Sequence, residues 1–332
     1  MKSRLTRRAL MGASMAAGLF AAIAGQTAFS AEKVTLRLSS PSSDTDQRAV
    51  ALMNVFAPAI SEFATLEPHW NASLFKQGTE LEAIARDNLE MSIASAQELA
   101  VFFPEFSIFT AGYVHRDAAH QVAVFNDPLM DPFKKKVEDE LGVKLLSVMY
   151  LGRRHVNLRT DKKVMTPDDL AGVNLRMPGS DAWQFLGKAL GANPTPMAFT
   201  EVYTALQTGA VDGQDNPLPT VVDAKFYEVT KQIILTSHLV DLNYIAMSKK
   251  VFDSLTPEQQ TTLQAAADAA AESGRQAQLK KEEDLVSFLK EQGLDIYEPD
   301  LDAFRSRVQG MYLESEFAET WPEGVLEKIN AL

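Results

Sequence analysis

Residues 190–217 read "LGANPTPMAFTEVYTALQTGAVDGQDNP", a helix held between two short extended runs. Thr200 stands where a cap belongs, Val202, Ala205 and Leu206 recur on one helical face, and Gly209 closes the turn. "AVDGQDNP", residues 210–217, then reads as a strand ending on three hydrogen-bonding side chains, Gln214, Asp215 and Asn216, with Gly213 allowing close backbone approach. In open α/β sheets, ligands sit at that carboxyl edge. Phe199 ends the preceding strand and presents its ring either to such a pocket or to the core.

Just upstream, "GVNLRMPGS" (172–180) alternates Val173 and Leu175 with Asn174 and Arg176, and turns at Pro178 and Gly179. This places the Arg176 guanidinium at a second carboxyl edge. Its planar fork can hold a carboxylate by two charge-assisted bonds, although an arginine at a strand end can equally pair with a surface aspartate. In "SDAWQFLGKALG" (180–191), Ala182, Phe185, Leu186, Ala189 and Leu190 form the face of a helix capped by Ser180 and ended by Gly191. Earlier still, strand alternation in "YLGRRHVNLRT" (150–160) sets Arg154, Val156 and Leu158 on one face and Arg153, His155, Asn157 and Arg159 on the other. Arg153, Arg154 and His155 would then meet an anion from the side opposite Arg176, or form an exposed basic strand.

The same alternation of short apolar runs and helical patterns begins at Val34 with "VTLRL", continues through "MSIAS" and restarts near Tyr150. It predicts a parallel α/β organisation. About 300 residues exceed a typical single core and suit two lobes. The chain is expected to cross between them near 151–154 and again near 239–244. "TPEQ" (256–259) carries a cap, proline at the first helical position and glutamine at N3, opening a pattern that lasts to Gly293. Roughly 36 helical residues reach ~54 Å, enough to touch both lobes, and Gly274 is a place for a bend.

Charge and motifs narrow the function. The chain has 44 acidic and 32 basic residues, so nucleic acid is not an expected partner. It has no cysteine, and its five histidines show no paired metal spacing. Dinucleotide, phosphate-loop and nucleophile-elbow motifs are missing, so no cofactor and no metal is expected. At the amino end, Lys2, Arg4, Arg7 and Arg8 precede the apolar run 9–24 and the small residues of "AFSA". Residues 1–30 therefore read as a secretory signal cleaved between Ser30 and Ala31, and "TRRALM" also resembles a twin-arginine signal. Without it the charge goes from -12 to -16, because four basic and no acidic residues leave.

"GVNLRMPGS", the 190–217 stretch and "SKKVFDSLTPEQQ" (248–260), in that order, resemble the solute-binding subunits of tripartite ATP-independent periplasmic (TRAP) transporters. The resemblance implies an α/β two-lobe periplasmic binding protein fold with a hinge and a long helix spanning both lobes. Lobe I would comprise 31–153 with about 242–280 and about 305–332, and lobe II 154–241 with about 281–304. It implies a periplasmic protein, not an enzyme, that closes over a small organic anion and delivers it to small and large membrane subunits.

Carried over, Arg176 grips the ligand carboxylate, Asn216, Arg154 and Phe199 touch the ligand, and Ser95 in "SIASAQELA" falls near a polar contact. His155, Gln214 and Arg153 complete the expected set, with Ser39, Ser40 or groups near Tyr113 answering from the first lobe. "SLFKQGTELEAI" (73–84) departs from the family's usual stretch and leaves that lobe's contacts open. A C4-dicarboxylate, a sugar acid or a related hydroxy acid is the expected ligand, and the extra arginines leave room for a sulfonate. The alternatives are the binding component of an ABC-type importer and an exported sugar-acid enzyme using Asp212 and Asp215 as acid and base.

Overall fold

Two strands are about three times as long as most of their neighbours, and they organise everything else. In the computed structural model, which describes residues 33–332, β1 (Val34–Ser39), β2 (Ala64–His69) and β3 (Met91–Ser95) precede the first of them, β4 (Val143–Leu158). Then come β5 (Asn174–Met177), β6 (Asn193–Pro196), β7 (Gly213–Asn216), the second long strand β8 (Gln232–Ser248) and β9 (Asp295–Tyr297). One mixed sheet runs β2-β1-β3-β8-β4-β7-β5-β6, with β9 beside the start of β8. The expected signal segment and its cleavage point lie outside the described residues.

The register divides the long strands between two half-sheets. The carboxyl half of β8 pairs with β3, Met247 opposite Met91, while the carboxyl half of β4 pairs with β7, His155 opposite Asn216. β4 and β8 also pair antiparallel with each other along nearly their whole length. "HVNLRT" is thus not a new strand after a boundary near Tyr150, as the alternation suggested. It continues β4, whose sixteen residues are nearly all buried, and a strand buried on both sides shows no polar period. Register shifts fall at Tyr150/Gly152 and Arg154/Val156, where the half-sheets meet. Gly152 has φ +132°, a conformation that suits glycine, and an added Cβ would lie 2.5 Å from Pro217 Cβ.

The helix Pro257–Glu291 opens with the expected capping box of Thr256 and Gln259. Leu263, Ala266, Ala267 and Ala270 pack with Leu36, Leu52 and Met149, while Leu289 joins a different cluster with Val202, Leu206, Phe226 and Ile233. One rigid element therefore enters the core of both halves. Its polar side chains bond the crossing itself: Gln264 Nε2 donates to Leu146 O at 2.7 Å, and Glu282 accepts from Tyr150 Oη and from Arg153 N, both at 2.6 Å. A Cβ added at Gly274 would lie 3.4 Å from Ala51 Cβ and 3.5 Å from Met149 Cε, ordinary contact distances, so packing does not require the glycine.

Ser180 caps the helix Asp181–Ala189, and Gly191 follows it at φ +97°. Thr200, by contrast, does not cap. A turn of 3₁₀-helix, Phe199–Glu201, precedes the helix Val202–Thr208, so Thr200 lies within that turn. Among the described residues no helix is long and apolar enough to cross a membrane.

Candidate functional site

A cavity of about 510 Å³ opens where the half-sheets meet. The carboxyl edges of β5 and β7 supply Arg176 and Asn216, the turn after β6 supplies Phe199, and the crossing supplies Arg154, Asp241 and Asn243. The loop after β1, with Ser40, Asp46 and Arg48, and the turn after β3, with Ser95 and Glu98, form the facing wall. The strand edges that the motifs singled out in the second half-sheet thus open on a cavity, and the first half-sheet contributes a polar wall of its own.

Arg176 is 1% exposed, and its Nε and Nη2 both donate to a single carbonyl, Met197 O, at 2.9 and 2.7 Å. Among the described residues no carboxylate lies within ion-pair distance of it. Burial without a counter-charge is the main cause that pulls this guanidinium down to about 9, with the nearby Arg154 charge adding to it and Asp215 opposing. Phe199 lies beside it, its ring centre 6.0 Å from the guanidinium carbon. Phe199 N donates to Gln77 Oε1 at 2.8 Å, across to the wall that carries "SLFKQGTELEAI".

Arg154 has the opposite surroundings. Its Nε and Nη2 donate to Asp215 Oδ2 and Oδ1 at 2.7 and 3.1 Å, its Nη1 donates to Asp241 Oδ2 at 2.7 Å, and its guanidinium carbon lies 4.5 Å from the Trp183 ring centre. Two aspartates already neutralise it. Asp215 is also 3.0 Å from His238 Nε2, and these partners outweigh burial and hold its carboxyl below the usual range. Asp212 accepts from Asn174 N at 3.0 Å at the start of β5. The two carboxylates of the enzyme alternative therefore serve separate structural bonds and do not face each other as acid and base.

Asn216 lines the cavity, and its Nδ2 donates to Gln214 Oε1 at 2.5 Å, whose own Nε2 donates to Asn157 Oδ1 at 2.9 Å. Gln214 thus orients Asn216 from behind and does not itself reach the cavity. Ser95 does line it, but its Oγ accepts from Glu98 N at 3.1 Å as a helix cap.

Arg153 and His155 stand apart from the lining. Alternation had already separated them from Arg154, the member of this run that lines the cavity: Arg153 Nη2 donates to Arg116 O at 3.3 Å, and His155 Nδ1 accepts from Ser237 N at 3.2 Å. Burial, with His238 adding to it, pushes His155 down to about 3, so it carries no positive charge for an anion. Of the other first-wall candidates Ser40 lines the cavity. Ser39 accepts from Phe75 N at 3.3 Å, and Tyr113 Oη donates to Thr236 O at 2.8 Å, both outside it.

Sequence reasoning found Ser40 and Ser95 on the facing wall but missed its charged residues. Arg48 Nε and Nη2 donate to Asp46 Oδ1 and Oδ2 at 2.9 and 2.7 Å, and its Nη1 donates to Asn243 Oδ1. Glu98 lines the same side, its Oε2 accepting from Ser95 N at 2.8 Å. An arginine inside the apolar helical run "QRAVALMNVF" and lone polar residues in "LVDLNYIAM" were the available signals.

A cavity between two half-sheets that share strands and a spanning helix defines a two-lobe solute-binding protein. The chain belongs to the bacterial extracellular solute-binding proteins, family 7, whose model matches residues 45–319. It is similar to the sialic acid-binding periplasmic protein of Vibrio cholerae, 29% identical over 79% of this chain and 80% of that one. The 2,3-diketo-L-gulonate-binding periplasmic protein of Escherichia coli is 29% identical over 91% and 93%. A crystal structure of a TRAP periplasmic solute-binding protein from Roseobacter denitrificans, with bound 3-deoxy-D-manno-oct-2-ulosonic acid, is 76% identical, covers 90% of this chain and 99% of its own, and superimposes with a TM-score of 0.90. The protein is thus a solute-binding protein of the TRAP kind, and the ABC-type alternative falls away.

Proposed function

We propose that the ligand is a sugar acid of the size of 3-deoxy-D-manno-oct-2-ulosonic acid, held by its carboxylate on Arg176. The observation that carries this reading is a fully buried arginine, lining a 510 Å³ cavity, with one carbonyl as its protein partner. A carboxylate arriving there would gain charge-assisted bonds of roughly 1.5–3 kcal/mol each, in a place where the cation lacks a counter-ion. The neighbour with that sugar acid bound, at 76% identity, supports the size and class of ligand. Asn216, held in place by Gln214, and Phe199 would fix the ligand's orientation. Arg154 serves as the neutralised floor beneath it.

The lobes would divide at the crossing, 31–153 with about 242–280 and 305–332 on one side and 154–241 with about 281–304 on the other, closing onto the ligand because it touches both walls. The small and large membrane subunits of a TRAP permease would receive it. The protein would leave its ligand chemically unchanged. The signal 1–30 would direct export, by the twin-arginine route if the protein folds first, and would be cleaved near Ser30/Ala31 to leave the mature protein.

Calorimetric titration with 3-deoxy-D-manno-oct-2-ulosonic acid tests the central reading, with product analysis of the recovered acid alongside. Saturable one-to-one binding that Arg176→Ala removes is the expected result; binding that survives the substitution unchanged defeats it.

A further inference from the structure

Three arginines line the cavity, yet two of them are already spoken for. Arg48 is paired to both oxygens of Asp46, and Arg154 bridges Asp215 and Asp241. Asp223, also in the lining, has Lys281 at 3.3 Å. Arg176 is the lining cation without a carboxylate. Opposite it, the first wall carries neutral polar groups, Ser40, Ser42 and Asn71, together with Asp46 and Glu98, while Arg154 with its two aspartates sums to one negative charge. Glu98 has an acidic neighbour behind it, the buried Glu80.

From this distribution we infer that Glu98 and Asp46 are specificity-determining residues that admit a ligand with one anionic group and hydroxyls elsewhere, and turn away a second anionic group at the far end. The inference rests on the sugar-acid reading and deepens it. Hydroxyl groups suit this wall because they can donate to Asp46, Glu98 and Asp241 and accept from Arg48 or Asn243 without bringing charge. A second carboxylate or a phosphate can only accept. It would face carboxylates in a region of low dielectric, where like charges a few ångströms apart repel strongly. Asp46 acts twice: it contributes its own charge, and it occupies the Arg48 fork that would otherwise be a second anchor for an anion. C4-dicarboxylates, with an anion at each end and little to donate, are the compounds this wall excludes.

The test compares 3-deoxy-D-manno-oct-2-ulosonic acid with the same acid carrying a phosphate ester on its terminal hydroxyl, titrated calorimetrically against wild type, Glu98→Gln and Asp46→Asn. Thermal melts confirm that each variant is folded. Wild type is expected to bind the ester about 100-fold or more weaker than the parent acid, and each substitution is expected to shrink that ratio at least about tenfold, most in Asp46→Asn, where Arg48 is freed. Glu98→Gln alters charge with almost no change in shape, so it stands as the second variant if loss of the Arg48 pair unfolds Asp46→Asn. Equal affinity for the two compounds in wild type overturns the inference, as does a ratio that neither substitution moves, which would mark a purely steric barrier. Failure of the parent acid itself to bind is a different result: it removes the sugar-acid reading and this inference with it.

Discussion

Arg154 and Arg176 are both buried, both line one cavity and stand close enough for each to influence the other's charge, yet they serve different ends. Arg154 is held by two aspartates and a tryptophan face, and Arg176 by one carbonyl. A buried charge that the protein has neutralised belongs to the architecture. One left without a counter-ion is available to a ligand's charge, the role proposed for Arg176. The difference teaches that an arginine in a pocket is not by itself an anion site; its partners decide.

The sharpest way to break this contrast is to truncate both. Arg154→Ala leaves Asp241 buried without a cation and Asp215 with His238 alone, and should cost about 3–5 kcal/mol of stability in a denaturant titration. Arg176→Ala removes an unpaired buried cation, so chemical denaturation should show it as stable as wild type within about 1 kcal/mol. Its loss should appear instead in calorimetry, as about a 100-fold or greater weakening of sugar-acid binding. Exchanged phenotypes would invert the assignment.

A third buried charge sharpens the comparison from the acidic side. Burial, with Glu98 adding to it, pushes Glu80 up to about 8, and its Oε1 has no hydrogen-bond partner. A carboxyl raised in the folded state costs no stability below its unfolded value, where both states are protonated; above it the unfolded chain ionises first and folding must take up a proton, so stability falls as pH rises from near 4.5 through about 8. The melting temperature of wild type should fall by about 2 °C or more relative to Glu80→Gln across that interval, and the variant should show the flatter profile. Identical profiles would remove Glu80 from the account.

Smaller effects follow from supporting residues. Gln214→Ala should leave Asn216 free to turn and weaken ligand binding roughly tenfold, about 1.4 kcal/mol by calorimetry, although Gln214 does not line the cavity. Gly310→Ala, inside the helix Leu301–Leu313 where an added Cβ meets nothing within 4 Å, should raise stability by about 0.5–1 kcal/mol and leave binding unchanged.

What the sequence revealed divides along contact range. The caps at Ser180 and Thr256, the glycine after each of two helices and the strand edges bearing Arg176 and Asn216 were legible because short spacing determines them. Thr200 misled because the helix is entered through a 3₁₀ turn that starts two residues earlier than the capping pattern implies. Arg153 and His155 misled because their closeness in sequence to Arg154 was read as closeness to the cavity, although alternation along the strand already set them apart from it. Arg48 was hidden for a plainer reason: its amide partner, Asn243, is 195 residues away. The partners of Arg154 at positions 215 and 241 are equally remote, and those partners are what separate it from Arg176.

The two long strands have a mechanical consequence. Because β4 and β8 run unbroken from one half-sheet into the other, and the helix Pro257–Glu291 is bonded to them at the joint, no slack tether connects the halves. Any closing movement must flex a ribbon of paired backbone, like bending a leaf spring, so the jaw returns along the path by which it shut.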